Sequence, residues 1–162
     1  MNFDTFLMVD WSGGNDRGPT PKKDAIWVCA ARADKTDAPV YLRNRHIAEA
    51  WITSFIADER AAGRRVLAGF AFAFGYPAGF GKALTGSDDP FAIWDWFATR
   101  VTDEADSNNR FDLAGDINAI FPGVGPFWGN GLKRDIPHLP RKGRDRTGHG
   151  MPEKRAAEQQ AK

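Results

Sequence analysis

A single stretch of helical period, residues 47–62, lies between extended runs and limits the topologies open to this chain more than any other feature. Ile47, Trp51, Ile52, Phe55 and Ile56 fall on one face at helical spacing, with Glu49, Asp58, Glu59 and Arg60 largely off it. Gly63 follows where helices commonly stop. Before this helix come three extended segments. Phe6-Leu7-Met8-Val9 is a continuous apolar run suited to a strand buried on both faces, and it ends in the turn Asp10-Trp11-Ser12-Gly13-Gly14. After a polar loop, residues 25–31 and 39–44 read as two more strands, joined by connections short enough for antiparallel neighbours. Beyond the helix, residues 65–74 alternate Phe70, Phe72 and Phe74 with small alanines until Gly75-Tyr76-Pro77 stops the strand.

This order predicts a mixed α/β sheet: an antiparallel meander of three strands, a crossover helix, and a fourth strand parallel to the first. The carboxyl ends of those two strands then lie side by side, where open sheets build their sites. Asp10 stands at one end and Ala71 near the other.

Further along, Asp89 and Pro90 signal a helix start, with Phe91, Trp94, Ala98 and Val101 as its apolar face. Another amphipathic piece covers residues 111–120, and residues 151–161 could form a last helix. With 162 residues the chain suits one domain, residues 1–132, followed by a basic, flexible segment, residues 133–162. That segment holds Lys133, Arg134, Arg141, Lys142, Arg144, Arg146, Lys154 and Arg155, a composition able to neutralise phosphates, although the net charge of +1 favours no class of partner. Cys29, the only cysteine, excludes an intrachain disulfide and suits a small core residue. No apolar run approaches the ~20 residues of a membrane helix, and the N-terminus lacks a signal-peptide pattern. A cytoplasmic location without membrane association is expected.

The two strand-end motifs, Asp10-Trp11-Ser12-Gly13-Gly14 and Gly69-Phe70-Ala71-Phe72-Ala73-Phe74-Gly75-Tyr76-Pro77, resemble an uncharacterised bacterial domain-of-unknown-function family. That family is expected to be nuclease-like with a ribonuclease H-like fold. Gly125-Pro126-Phe127-Trp128-Gly129 and Pro152-Glu153-Lys154-Arg155-Ala156-Ala157-Glu158 resemble further features of it. Two departures stand out. The family pattern at position 71 is typically an aspartate, and its members are usually longer, so the chain is expected to stop before their C-terminal portion.

The resemblance implies metal-dependent phosphodiester hydrolysis. Two Mg²⁺ or Mn²⁺ ions about 3.5–4 Å apart would clamp the attacking and leaving oxygens, and such hard ions require carboxylate oxygens. Asp10 is the candidate metal ligand and catalytic carboxylate, and Glu49 on the first helix is a second catalytic candidate. Ala71 removes a third, leaving Asp116, Glu153 or Glu158 as replacements and making a degenerate form that only binds nucleic acid an equal expectation. A different chemistry is open at Ser12, Gly13 and Gly14, whose backbone N–H groups could hold a phosphate, as in a protein handling a nucleotide or pterin cofactor in an ATPase, kinase or biosynthetic role.

Structural roles compete with each of these. Asp10 could shape its turn, Glu49 could be a solvated helix residue, and Glu153, Arg155 and Glu158 suit local ion pairs. Trp94 reads as core, whereas Trp96 and Trp128 are free to stack bases. His46, His138 and His149 are too dispersed for a zinc motif. Nucleic acid or a small phosphate ester is the expected partner.

Overall fold

The computed structural model describes residues 2–13, 18, 20–23, 25–104, 107–142 and 146–160. It is a mixed α/β protein with a five-stranded sheet and five helices among the described residues. The chain forms two compact units, residues 1–73 and 74–162.

In the first unit, β1 (Thr5–Asp10) pairs antiparallel with β2 (Ile26–Arg32). The far edge of β2 carries β3 (Lys35–Thr36) at one end and β4 (Val40–Leu42) at the other. Helix α1 (Arg45–Ala61) then crosses over, and β5 (Val66–Phe70) runs parallel to β1. The expected topology is present, with the two-residue β3 as an addition. Asn44 caps α1 by accepting a hydrogen bond from the Ile47 N–H at 3.0 Å, which satisfies one donor the first turn would leave unpaired. Gly63 takes a left-handed φ of 74° just past the helix end, a conformation that costs glycine little.

The core lies between α1 and one face of the sheet, where Ala48 and Ile52 meet Leu7, Val9, Val28 and Ala30. The apolar run of β1 predicts burial on both faces, but only the α1 face is covered. Phe6 and Met8 are exposed on the other side, Met8 by 61%, and Leu67, the register partner of Phe6, is exposed beside them. Cys29 follows the same pattern: it is half-buried opposite Met8 rather than sealed in the core. The fourth strand is shorter than its alternation suggests. Because β1 ends at Asp10, residues beyond 71 have no ladder partner, and Phe72 and Phe74 emerge exposed.

Glu59 departs furthest from its expected place. It is 3% exposed and accepts hydrogen bonds from Thr5 Oγ1 at 2.5 Å, Arg32 Nη2 at 2.5 Å and Arg64 Nε at 2.6 Å. Burial by itself would raise its pKa, but the Arg64 and Arg32 guanidiniums and the Thr5 hydroxyl hold the carboxyl well below the usual range. A charge lying off the apolar stripe is thus drawn inward by three donors.

The second unit contains α2 (Phe80–Thr85), α3 (Ala92–Ala98), α4 (Arg110–Asn118) and α5 (Ala156–Gln160). Its separate core joins Phe80, Leu84, Ile93, Leu113, Ile117 and Phe121. Helix α2, hidden in the sequence among glycines, is framed by Gly79 and Gly86 in left-handed conformations. Helix α3 begins later than Asp89 and Pro90 predict: Phe91 is its N-cap, without a side-chain cap, and Asp89 accepts from the Phe91 N–H at 2.9 Å in the turn before it. The tryptophans of α3 exchange their expected roles. Trp96 packs against the core and is covered by the Arg100 guanidinium 4.3 Å from its ring, whereas Trp94 is 42% exposed. The helix turns Ile93 and Phe97 inward, and that rotation carries Trp96 with them.

Asn118 organises the segment after α4. Its buried side-chain amide donates to the carbonyls of Phe127 and His138 and accepts from the Phe127 N–H at 2.7 Å. The Gly125-Pro126-Phe127-Trp128-Gly129 motif is thereby anchored, and Val124 bridges to Thr147.

Candidate functional site

The parallel register of β1 and β5 runs from Thr5↔Val66 to Val9↔Phe70, a constant offset that places Ala71 level with Asp10. The Ala71 N–H donates to the Val9 carbonyl at 2.8 Å, so the pairing holds to that level. By strand alternation Asp10 falls on the Met8 face, and its side chain is exposed at the strand end. Among the described residues its carboxylate accepts no hydrogen bond, so the turn-shaping role finds no support. Ala71 shares its level and its face. Neighbouring strands are ~4.8 Å apart, so a carboxylate at 71 would stand next to that of Asp10, and the alanine leaves a methyl group there.

Ser12 and Gly13 continue from β1, while Gly14, the third residue expected to bind phosphate, lies outside the described residues. A cation that the sequence reading missed meets this turn: Arg45 Nη1 donates to the Gly13 carbonyl at 2.6 Å. Arg45 is the first residue of the 17-residue α1, and a guanidinium and a helix N-terminus both carry positive potential. Its signal was the arginine following a capping Asn44. The neighbouring His46 has a buried Nε2 with no hydrogen-bond partner, alone in this respect among the described residues.

Glu49 lies on α1, exposed, on the helix that covers the opposite face of the sheet from Met8 and Asp10. The three replacements considered for position 71 all belong to the second unit. Glu153 is taken by Arg146 at 2.7 Å, Glu158 by Arg155, and Asp116 is exposed on α4. Among the described residues, no group of three His, Cys, Asp or Glu side chains is placed to hold a metal ion. A centre for Mg²⁺ or Mn²⁺ pairs needs several oxygen ligands; among the described residues the joined strand ends supply one carboxylate, Asp10, which by itself does not make that centre.

Among the described residues, four cations of the basic C-terminal segment are ion-paired, one of them to a carboxylate outside it. Arg134 pairs with Asp112 at 2.6 Å, Arg141 with Asp135 at 2.7 Å, and Arg146 and Arg155 with the glutamates just named. Arg134 holds the Asp112 carboxyl, and Arg155 that of Glu158, below the usual range. Arg146 also lies 4.5 Å from the Trp128 ring, covering one surface that could have stacked a base. The local ion pairs read for Glu153, Arg155 and Glu158 are therefore present. No helix among the described residues is long and apolar enough to cross a membrane. No family model, curated protein or solved structure matches this chain.

Proposed function

We propose that this chain is a nuclease-like protein of the ribonuclease H type, a degenerate form whose strand-end site binds a phosphate ester, in nucleic acid or a small molecule, without a metal centre able to cleave it. The observation that carries this reading is the register that sets Asp10 level with Ala71 on adjacent parallel strands. The meander, crossover helix and parallel return support the ribonuclease H-like reading, under which one substitution at this register would disable hydrolysis. A phosphate could approach through Arg45 and the Ser12-Gly13 backbone, while Asp10 alone cannot hold a pair of ions.

The test compares the chain with Ala71→Asp and the double variant Asp10→Ala/Ala71→Asp, for Mn²⁺ binding and for Mn²⁺- or Mg²⁺-dependent cleavage of labelled single- and double-stranded DNA and RNA. Restored cleavage in Ala71→Asp that vanishes in the double variant is the expected result. If Ala71→Asp neither binds Mn²⁺ nor cleaves, the nuclease-like reading falls.

The Arg45 contact to Gly13 favours a second reading, in which the same turn takes the phosphate of a nucleotide or pterin cofactor. It predicts binding of mononucleotides that Arg45→Ala weakens, and no binding of oligonucleotides. The reverse preference would remove it.

A further inference from the structure

A cleft of about 750 Å³ lies within the second unit, between residues 74–79, α2 and the segment 87–94. Its walls are aromatic and unusually bare. Phe74 is 60% exposed and Trp94 42%, their rings tilted at 49° with centroids 6.3 Å apart. Exposed aromatic faces grouped around a concavity favour a flat apolar ligand. The floor is peptide backbone: Gly75, Gly79 and Gly81 line it, and a Cβ added to any of them meets no atom within 4 Å. Glycines so placed let a ligand approach the main chain closely.

The polar rim narrows the ligand class. Lys82 Nζ pairs with Asp88 at 2.7 Å. Asp89 Oδ1 accepts from the Phe91 N–H, and Ser87 Oγ accepts from the Asp89 N–H. The donors of this rim are engaged by its own acceptors, and its two carboxylates outweigh its one ammonium. Such a rim suits a heterocycle edge carrying amino donors, and it repels an attached phosphate.

We infer that this cleft binds a purine base or nucleoside, its ring stacked on Trp94 with Phe74 against its edge, and its amino groups on the Asp88 and Asp89 rim. It uses none of Asp10, Ser12, Gly13, Arg45 or Ala71 and does not depend on either reading of their site.

The test is isothermal titration calorimetry of the whole chain with adenosine, guanosine and guanosine monophosphate. Saturable binding of a nucleoside is expected; in the Arg45→Ala chain, where the strand-end turn no longer competes for phosphate, the monophosphate should bind at least about tenfold more weakly than guanosine. Stacking on one aromatic ring is commonly worth about tenfold or more in affinity, so Trp94→Leu should weaken the nucleoside about tenfold. Trp128→Leu, an exposed tryptophan outside the cleft, should leave it unchanged. Gly81→Ala, at an ordinary helical position, should keep the fold and reduce binding. The inference is overturned if no nucleoside binds at millimolar concentration, if the monophosphate binds the Arg45→Ala chain as tightly as guanosine does, or if Trp128→Leu matches Trp94→Leu. Asp10→Ala and Arg45→Ala report on the strand-end site and should not change nucleoside binding, so the two sites fail or succeed separately.

Discussion

Replacing Glu59 by glutamine would remove one negative charge from a place where it meets two guanidiniums and a hydroxyl. The carboxylate ties together the start of β1 through Thr5, the end of β2 through Arg32 and the turn after α1 through Arg64. Removing one partner of a fully buried ion pair costs about 3–5 kcal/mol. Arg32 and Arg64 are 27% and 40% exposed, so both can turn partly to water, and the expected cost falls to roughly 2–3 kcal/mol. For a unit of this size that corresponds to a lowering of Tm by about 10–20 °C.

The loss should depend on pH in a defined sense. The folded-state pKa of Glu59 is depressed, so its contribution is complete above the unfolded value of about 4.3 and declines as pH falls towards the folded value. Urea unfolding followed by circular dichroism, at pH 7 and again near pH 3, should show the gap between the parent chain and Glu59→Gln narrowing by about 1.4 kcal/mol per pH unit below about 4.3. A gap below about 0.5 kcal/mol at pH 7 would refute the pinning role. An equal gap at both pH values would refute its attribution to the carboxylate charge.

Gly115→Ala should destabilise by about 1–2 kcal/mol in urea melts although alanine favours helices, because the added Cβ would lie 2.5 Å from the Pro137 carbonyl oxygen. Asn118→Ala should cost about 3 kcal/mol by the same measurement, since it strands buried backbone groups of Phe127 and His138. Ala71→Asp should melt close to the parent chain without ions. With Mn²⁺ at 100 times its Kd it should gain about 2.7 kcal/mol, which a thermal-shift titration would detect.

The first unit was legible because its information is local and periodic. A helical stripe between alternating runs, with short connections, leaves few ways to join the strands, and α1, β1 and β5 follow. Burial was not equally legible. A continuous apolar run such as Phe6-Leu7-Met8-Val9 reads the same whether one face is covered or two, and only the placement of α1 distinguishes them. Glu59 escaped notice for the converse reason: its partners Thr5 and Arg32 are 54 and 27 residues away in sequence. In the second unit α2 depends on left-handed glycines at both ends, which a scan for glycine reads as a loop, and α3 shows that one rotation can exchange Trp94 with Trp96.

The strand-end site divides along the same line. Asp10 and Ala71 could be brought together from topology alone, since a right-handed crossover fixes which strand ends are neighbours. Their common level on the ladder required the register, because a slip of one residue would send the side chains to opposite faces. Arg45 adds what neither motif contained. It enters through the cap of α1 rather than through the turn it contacts, so a reading confined to the Asp10–Gly14 segment supplies hydrogen-bond donors but no charge. The functional consequence follows from that addition. On the proposed reading, a cation beside the turn and one carboxylate at the ladder's end among the described residues suit an anion better than a pair of metals. If Arg45→Ala left phosphate-ester binding intact, the balance would return to Asp10, and the site would have to be understood through the ions it could recruit.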